Sequence, residues 1–251
     1  MSSEGPVVLI HAFPLDASLW DPQLSEAPAG FRFITPDVPG FGRSTDAPAR
    51  SMDDIARSVL RVLDHERVDR AVIGGMSMGG YVTLALYRMA PERFAGMILA
   101  DTRATADSDQ QREARRKMLA AVRDGGPSAV ADEMLPKLLG ATTQRERPEL
   151  AKTVRAMIEG NSADAIAGAL EAMMGRPDST PLLRAISVPT LVICGAEDVL
   201  TPPSDSEALH AGITGSRLAI LNGAGHLSNI ESPDMFSITV NTFLSGLSSS
   251  L

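Results

Sequence analysis

The hexapeptide Gly75-Met76-Ser77-Met78-Gly79-Gly80 directly follows a run of small and β-branched residues, Ala71 to Gly74, and precedes a helical run, Tyr81 to Met89. A G-x-S-x-G string between a strand and a helix is a nucleophile elbow, in which the serine occupies a sharp, strained turn. The residues two before and two after it must lack bulk so that strand and helix can approach. The turn lifts the hydroxyl above the sheet and aims the N-terminus of the helix at it, which favours developing negative charge. Nucleophilic attack on an acyl carbon is the chemistry such a turn serves. The string alone is a weak signal, and its strand–turn–helix setting carries most of the weight.

A serine nucleophile needs a base, and the base needs a group to orient it. The chain has four histidines: His11, His65, His210 and His226. His65 and His210 fall among charged residues on predicted helices and are expected at the surface. His226 follows the last predicted strand in Leu221-Asn222-Gly223-Ala224-Gly225-His226, where small residues suit a loop folded over the sheet edge. It is the expected base. The acid should fall between serine and histidine in the chain. Two aspartates end predicted strands there: Asp101, and Asp198 in Gly195-Ala196-Glu197-Asp198. Asp198 is preferred, because its strand immediately precedes the one that delivers His226. Asp101 opens the next segment and could equally cap a helix there. Glu197 is expected to face solvent. For the oxyanion, the N–H of Met78, next after the serine, should pair with that of Phe13 in His11-Ala12-Phe13-Pro14. His11 then holds that loop by hydrogen bonds rather than serving as a second base.

The elements that position these residues read as alternating short apolar runs and amphipathic stretches. Val7 to Ile10, Phe33 to Thr35, Ala71 to Gly74, Met97 to Ala100, Thr190 to Cys194 and Leu218 to Leu221 are expected as buried strands. Ser51 to His65 reads as a helix capped by Ser51, with Ile55, Val59, Val62 and Leu63 on one face. Ser232-Pro233 should start a C-terminal helix carrying Met235, Phe236, Ile238, Val240 and Phe243, with the serine as N-cap. Such alternation implies an α/β fold, with a mostly parallel sheet covered by helices on both faces.

From about Thr102 to Thr180 the alternation stops, and helical patterns are separated by Gly125-Gly126-Pro127, Arg147-Pro148, Gly160-Asn161 and Gly175-Arg176-Pro177. Residues 1–101 and 181–251 are therefore expected to form the core, and 102–180 an inserted helical cap over Ser77. Most of the cap methionines, among them Met118, Met134, Met157, Met173 and Met174, should pack it onto the core, with a few lining an adaptable apolar pocket.

Composition narrows the rest. With 44% hydrophobic and 22% charged residues, the chain of 251 residues is ordinary for a globular protein with a large core. A net charge of −8 argues against nucleic acid or an anionic membrane surface as partner. The single cysteine, Cys194, lies in an apolar run and is expected as a small buried hydrophobe. The first residues carry no basic group and lead into only a short apolar run, unlike a signal peptide, and no segment is long and apolar enough for a membrane span. The default expectation is a cytoplasmic protein. No H-E-x-x-H, C-x-x-C or G-x-G-x-x-G is present, so no metal or organic cofactor is expected.

Taken together, His11-Ala12-Phe13-Pro14, Asp37-Val38-Pro39-Gly40-Phe41-Gly42-Arg43-Ser44, the elbow, Gly195-Ala196-Glu197-Asp198 and Gly223-Ala224-Gly225-His226 resemble successive landmarks of the α/β-hydrolase superfamily. The resemblance covers nearly the whole chain outside the cap. Within the superfamily the chain is similar to small bacterial carboxylesterases, 3-oxoadipate enol-lactonases and cofactor-free perhydrolase-type haloperoxidases. The stretch Gly225 to Pro233 leans toward the enol-lactonase-like branch. The resemblance implies hydrolysis of a small or medium carboxylic ester or lactone through an acyl-enzyme on Ser77, with His226 as base and Asp198 as its partner. Perhydrolysis, carbon–carbon bond hydrolysis and acyl transfer would use the same three residues, and a ligand-binding protein on a hydrolase fold is the non-enzymatic alternative. An enol-lactonase must also hold a substrate carboxylate, for which Arg103 is a candidate. Two departures stand out: Ala12 replaces the usual glycine of the oxyanion loop, and the usual N-terminal hairpin is missing. The second leaves a short sheet edge that a second copy of the chain could cover.

Overall fold

The computed structural model describes residues 5–247. Met1 to Glu4 and the serine-rich tail through Leu251 lie outside the described residues.

Among the described residues, six strands form one sheet: β1 (Gly5–Ile10), β2 (Phe31–Ile34), β3 (Ala71–Met76), β4 (Phe94–Ala100), β5 (Thr190–Gly195) and β6 (Arg217–Leu221). The order across the sheet is β2-β1-β3-β4-β5-β6, and all five pairings are parallel. Side chains along a strand alternate between faces, yet every residue of β3 and β5 is buried, so both faces are covered. The edge strands depart from the sequence expectation. β2 is half-exposed, and Arg217 and Ile220 of β6 face solvent, because an edge strand has a neighbour on one side only.

The helices are α1 (Asp21–Ser25), α2 (Met52–His65), α3 (Met78–Met89), α4 (Asp109–Leu138), α5 (Ala141–Glu146), α6 (Leu150–Glu159), α7 (Ala163–Met174), α8 (Pro203–Gly212), α9 (Ser228–Glu231) and α10 (Pro233–Ser245). Ser51 caps α2 by accepting the N–H of Asp54, and Ile55, Ala56, Val59 and Leu63 form its buried face. Ser232 begins α10 but makes no side-chain cap, contrary to expectation. Met235 and Ile238 of α10 are exposed, while Phe236, Val240 and Phe243 are buried.

The chain runs from β1 outward to β2, then returns past β1 to lay down β3 to β6. The order of strand addition therefore reverses between β1 and β3. Open α/β sheets bind ligands beyond the carboxyl ends of the strands at such a switch point. The loop carrying Phe13 leaves β1, and Ser77 leaves β3.

Helices α4 to α7 lie between β4 and β5, with no strand among them. Gly126 interrupts α4 with a left-handed φ of 68°, just before Pro127, so two helical stretches meet at a kink. Asp101 does not cap α4. Ser108 does, in a reciprocal capping box with Gln111.

The two ends of this insert are pinned at Asp107. Its buried carboxylate accepts from Nε of Arg115 in α4 at 2.6 Å and from Nη1 of Arg176, just beyond α7, at 2.6 Å. Arg176 also donates to the carbonyl of Thr105 at 2.9 Å, and its guanidinium lies 4.0 Å from the centre of the Tyr81 ring in α3. Burial pushes the Asp107 carboxyl up, but the hydrogen bonds and charges of Arg115 and Arg176 outweigh it and hold the pKa below the usual aspartate value. A carboxyl depressed in the folded state stabilises above its unfolded pKa, and that contribution is lost as pH falls through the folded value. Asp107→Asn should therefore cost about 3 kcal/mol at neutral pH, or roughly 6–12 °C in melting temperature. Thermal melts should show the gap between variant and parent narrowing below about pH 4. A variant melting within about 2 °C of the parent at pH 7 would contradict the pinning.

Candidate active site

Ser77 stands between β3 and α3 with φ 54° and ψ −111°, a left-handed backbone that few side-chain-bearing residues adopt. Its surroundings show why the flanking positions are glycine. A Cβ at Gly75 would lie 2.4 Å from the Gly79 carbonyl carbon, and one at Gly79 would lie 2.1 Å from the Ile10 carbonyl oxygen. The turn is held from the neighbouring strand as well. Ser77 N–H donates to the carbonyl of Ala100 at 2.9 Å, and the Thr102 hydroxyl donates to the Ser77 carbonyl at 2.8 Å.

The three residues expected to act together are brought together. His226 Nε2 is 2.8 Å from Ser77 Oγ, and its Nδ1 is 2.8 Å from Asp198 Oδ2. His226 and Asp198 are buried, while Ser77 is partly accessible. The loops carrying acid and base meet backbone to backbone: a Cβ on Gly195 would lie 2.1 Å from the carbonyl oxygen of Gly225. Asp198 is further held by its own loop. Oδ1 accepts the N–H groups of Leu200 at 2.8 Å and Thr201 at 3.0 Å, and Oδ2 accepts the Thr201 hydroxyl at 2.6 Å. Burial pushes the Asp198 carboxyl up, but the adjacent His226 and the bonds from Thr201 outweigh it and bring the pKa below the usual value.

Thr201 escaped the sequence reading. Its signal is local: an aspartate whose side chain can accept the N–H two residues on makes an Asx-turn, and a hydroxyl on the next residue can reach the same carboxylate.

Asp101, the other candidate acid, does not face His226. Its carboxyl accepts the Gly195 N–H at 2.8 Å and the hydroxyl of Ser228 at 2.5 Å. It is fully buried, and burial, reinforced by the charge of Asp198, raises its pKa well above the usual value. Glu197 is not simply solvated either. It accepts the N–H of Thr142 at 2.8 Å and the Thr142 hydroxyl at 2.5 Å, tying the insert to the acid loop.

His11 is fully buried, with Nδ1 donating to the Ala12 carbonyl at 3.0 Å and Nε2 accepting the Val38 N–H at 3.1 Å. Both ring nitrogens serve the loop, and burial lowers the pKa. His65 and His210 are exposed. Cys194 is buried, its thiol pushed up to about 11 by burial. Among the described residues, no group of three or more histidine, cysteine, aspartate or glutamate side chains could hold a metal ion. No helix among them is long and apolar enough to cross a membrane.

A cavity of about 170 Å³ opens onto Ser77 and His226. Phe13, Tyr81, Met118, Met134, Met173 and Leu200 give it an apolar wall, so three of the insert methionines line it. Arg103, Arg115 and Lys137 also reach it. Each has a protein partner: Arg103 donates to the Leu200 carbonyl and lies 3.4 Å from Asp205, Arg115 holds Asp107, and Lys137 lies 3.4 Å from Glu133. Met78 is the first residue of α3, so its N–H has no partner within the helix, and Phe13 lines the same cavity.

The chain is similar to known esterases and enol-lactonases. A 3-oxoadipate enol-lactonase from Acinetobacter baylyi is 29% identical over 239 residues, covering 95% of this chain and 88% of that protein. A thermophilic esterase from Thermogutta terrifontis, solved with malate bound, is 38% identical with a TM-score of 0.94, over 98% of this chain and 92% of that one. The enol-lactonase from Burkholderia xenovorans LB400 is 30% identical with a TM-score of 0.88, over 96% of this chain and 91% of that one. A family model described as the alpha/beta hydrolase fold matches residues 5–233, and the chain belongs to that family.

Proposed function

We propose that this protein is a serine hydrolase that cleaves small carboxylic esters or lactones through an acyl-enzyme on Ser77. The observation that carries the reading is the continuous chain from Ser77 Oγ through His226 to Asp198, with both contacts at 2.8 Å. Ser77 attacks the acyl carbon as His226 Nε2 takes its proton, and Asp198 holds the ring and stabilises the imidazolium. The N–H groups of Met78 and Phe13 receive the oxyanion, and the N-terminus of α3 adds its dipole. The collapsing intermediate takes the proton back from His226 onto the leaving oxygen. Water, deprotonated by the same histidine, then releases the acid and restores Ser77.

Esterase and enol-lactonase relatives support the substrate class. The enol-lactonase reading, in which the substrate carries its own carboxylate, draws on the cationic side of the cavity. It requires Arg103, Arg115 or Lys137 to share itself between a protein partner and the ligand. An enol-lactone run beside neutral esters of equal size separates the two readings.

A fluorophosphonate probe should label the parent protein and leave Ser77→Ala unlabelled. Ser77→Ala should lower kcat on p-nitrophenyl acetate by about 10³-fold or more with an unchanged far-UV spectrum. Retention of more than about a tenth of the activity would refute the serine mechanism.

We also propose that residues 102–180 act as a cap that sets acyl length. The cavity is smaller than the roughly 300–1,000 Å³ typical of drug-sized ligands, and the insert supplies much of its wall. Activity on p-nitrophenyl esters should peak at short acyl chains. A kcat/KM that climbs steadily to chains of about twelve carbons would show that the cap does not close the pocket.

A further inference from the structure

Glu231, the last residue of α9, is buried, with 5% of its surface exposed. Its Oε1 accepts the N–H of Leu227, the residue directly after His226, at 3.0 Å. Its Oε2 accepts the N–H of Gly140, the N-cap of α5 in the insert, at 2.7 Å. The tether is reinforced from the other end of α5, where Arg147 donates to the carbonyls of Ile230 and Glu231. There is no slack between the two segments, because a Cβ on Gly225 would lie 2.2 Å from the Gly140 nitrogen. None of these contacts touches the reacting atoms.

A carboxyl group can accept two N–H donors at once, one on each oxygen. An amide of the same shape cannot, because its NH₂ would face a donor. The segment so held is a four-residue helix, too short to keep its place by its own hydrogen bonds. The position of α9 is therefore set by what grips it. The grip falls one residue beyond the histidine whose Nε2 must stay 2.8 Å from Ser77 Oγ.

We propose that Glu231 is a positioning residue that joins the insert to the His226 loop, so that closure of the insert and the aim of His226 are set by one carboxyl group. The proposal rests on the reading of Ser77 and His226 given above. Displacement of a general base by about an ångström can cost some 10²-fold in rate, so a partial release should be visible in the chemical step.

The experiment compares the parent with Glu231→Gln, Arg147→Ala and Ser77→Ala. The measurements are the rate of labelling by a small fluorophosphonate, kcat and KM on p-nitrophenyl acetate, and the thermal melt. Glu231→Gln should label about tenfold or more slowly, and kcat should fall by a similar factor while KM stays within about twofold. Arg147→Ala, which loosens the same tether from a partly exposed position, should shift both rates in the same direction by less. A folded Glu231→Gln that labels and turns over at the parent rate, whatever its melting temperature, makes the residue merely structural and overturns the proposal. If Glu231→Gln does not fold, a parent rate in Arg147→Ala overturns it. Labelling that survives in Ser77→Ala would instead overturn the serine reading itself, a distinct outcome.

Discussion

Ser77 keeps its left-handed backbone only because the chain around it leaves no alternative. A residue held in such a region costs on the order of 1–3 kcal/mol, and it persists where its surroundings over-determine it. Here they do so from β1 and β4, the two strands that flank β3. Gly79 lies against the end of β1, Ser77 N–H is held by the end of β4, and Thr102 closes on the Ser77 carbonyl from beyond β4. Gly80 completes the fit, since a Cβ there would lie 2.4 Å from the Thr102 hydroxyl. Backbone contacts this close leave no room for a turn of another shape. The hydroxyl is consequently delivered to the switch point, and the loops after β1, β5 and β6 need only reach it.

Those loops bring carboxyl groups into a region with little water, and their environments separate them. Asp198 and Asp101 are both buried, and the charge of Asp198 adds to the cost of ionising Asp101. Asp198 has the imidazole of His226, two backbone N–H groups and the Thr201 hydroxyl, and it stays below the usual aspartate pKa. Asp101 has one N–H and one hydroxyl and no cation, and its pKa rises. Two similar residues at the ends of adjacent strands thus have their pKa values moved in opposite directions by different partners. Asp101 links the ends of β4, β5 and the Ser228 segment, and Asp198 faces the imidazole of His226.

What the sequence made legible follows from the same physics. Ser77, Asp198 and His226 could be placed because glycine spacing, chain order and strand ends are local features, and β3 and β5 could be placed because fully buried strands read as continuous apolar runs. The exposed sides of β2 and β6 could not, since an apolar run does not say whether it has one neighbour or two. Met235 and Ile238 were likewise indistinguishable from Phe236 and Val240 before the docking of α10 was known. The contacts of Asp101 and Glu197 were not legible for a further reason. Their partners, Ser228 and Thr142, lie 127 and 55 residues away, and nothing local marks a hydrogen bond of that span.

The division between core and insert explains why the positions of Ser77, Asp198 and His226 left a clearer trace in the sequence than the shape of the cavity. In the core, backbone segments approach so closely that a Cβ at Gly75, Gly79 or Gly195 would clash, so its glycines leave a recognisable pattern. The insert contributes to the cavity through Met118, Met134 and Met173, whose flexible side chains can fill many shapes without a fixed sequence signature. Its polar groups are already engaged within the protein: Arg115 with Asp107, Lys137 with Glu133, and the N–H groups of Gly140 and Thr142 with Glu231 and Glu197. A ligand entering this cavity meets an apolar wall that can adapt and cations that are already engaged. Selection among substrates would then rest on what those cations gain by sharing a second acceptor, against the cost of loosening the contacts that keep the insert over Ser77.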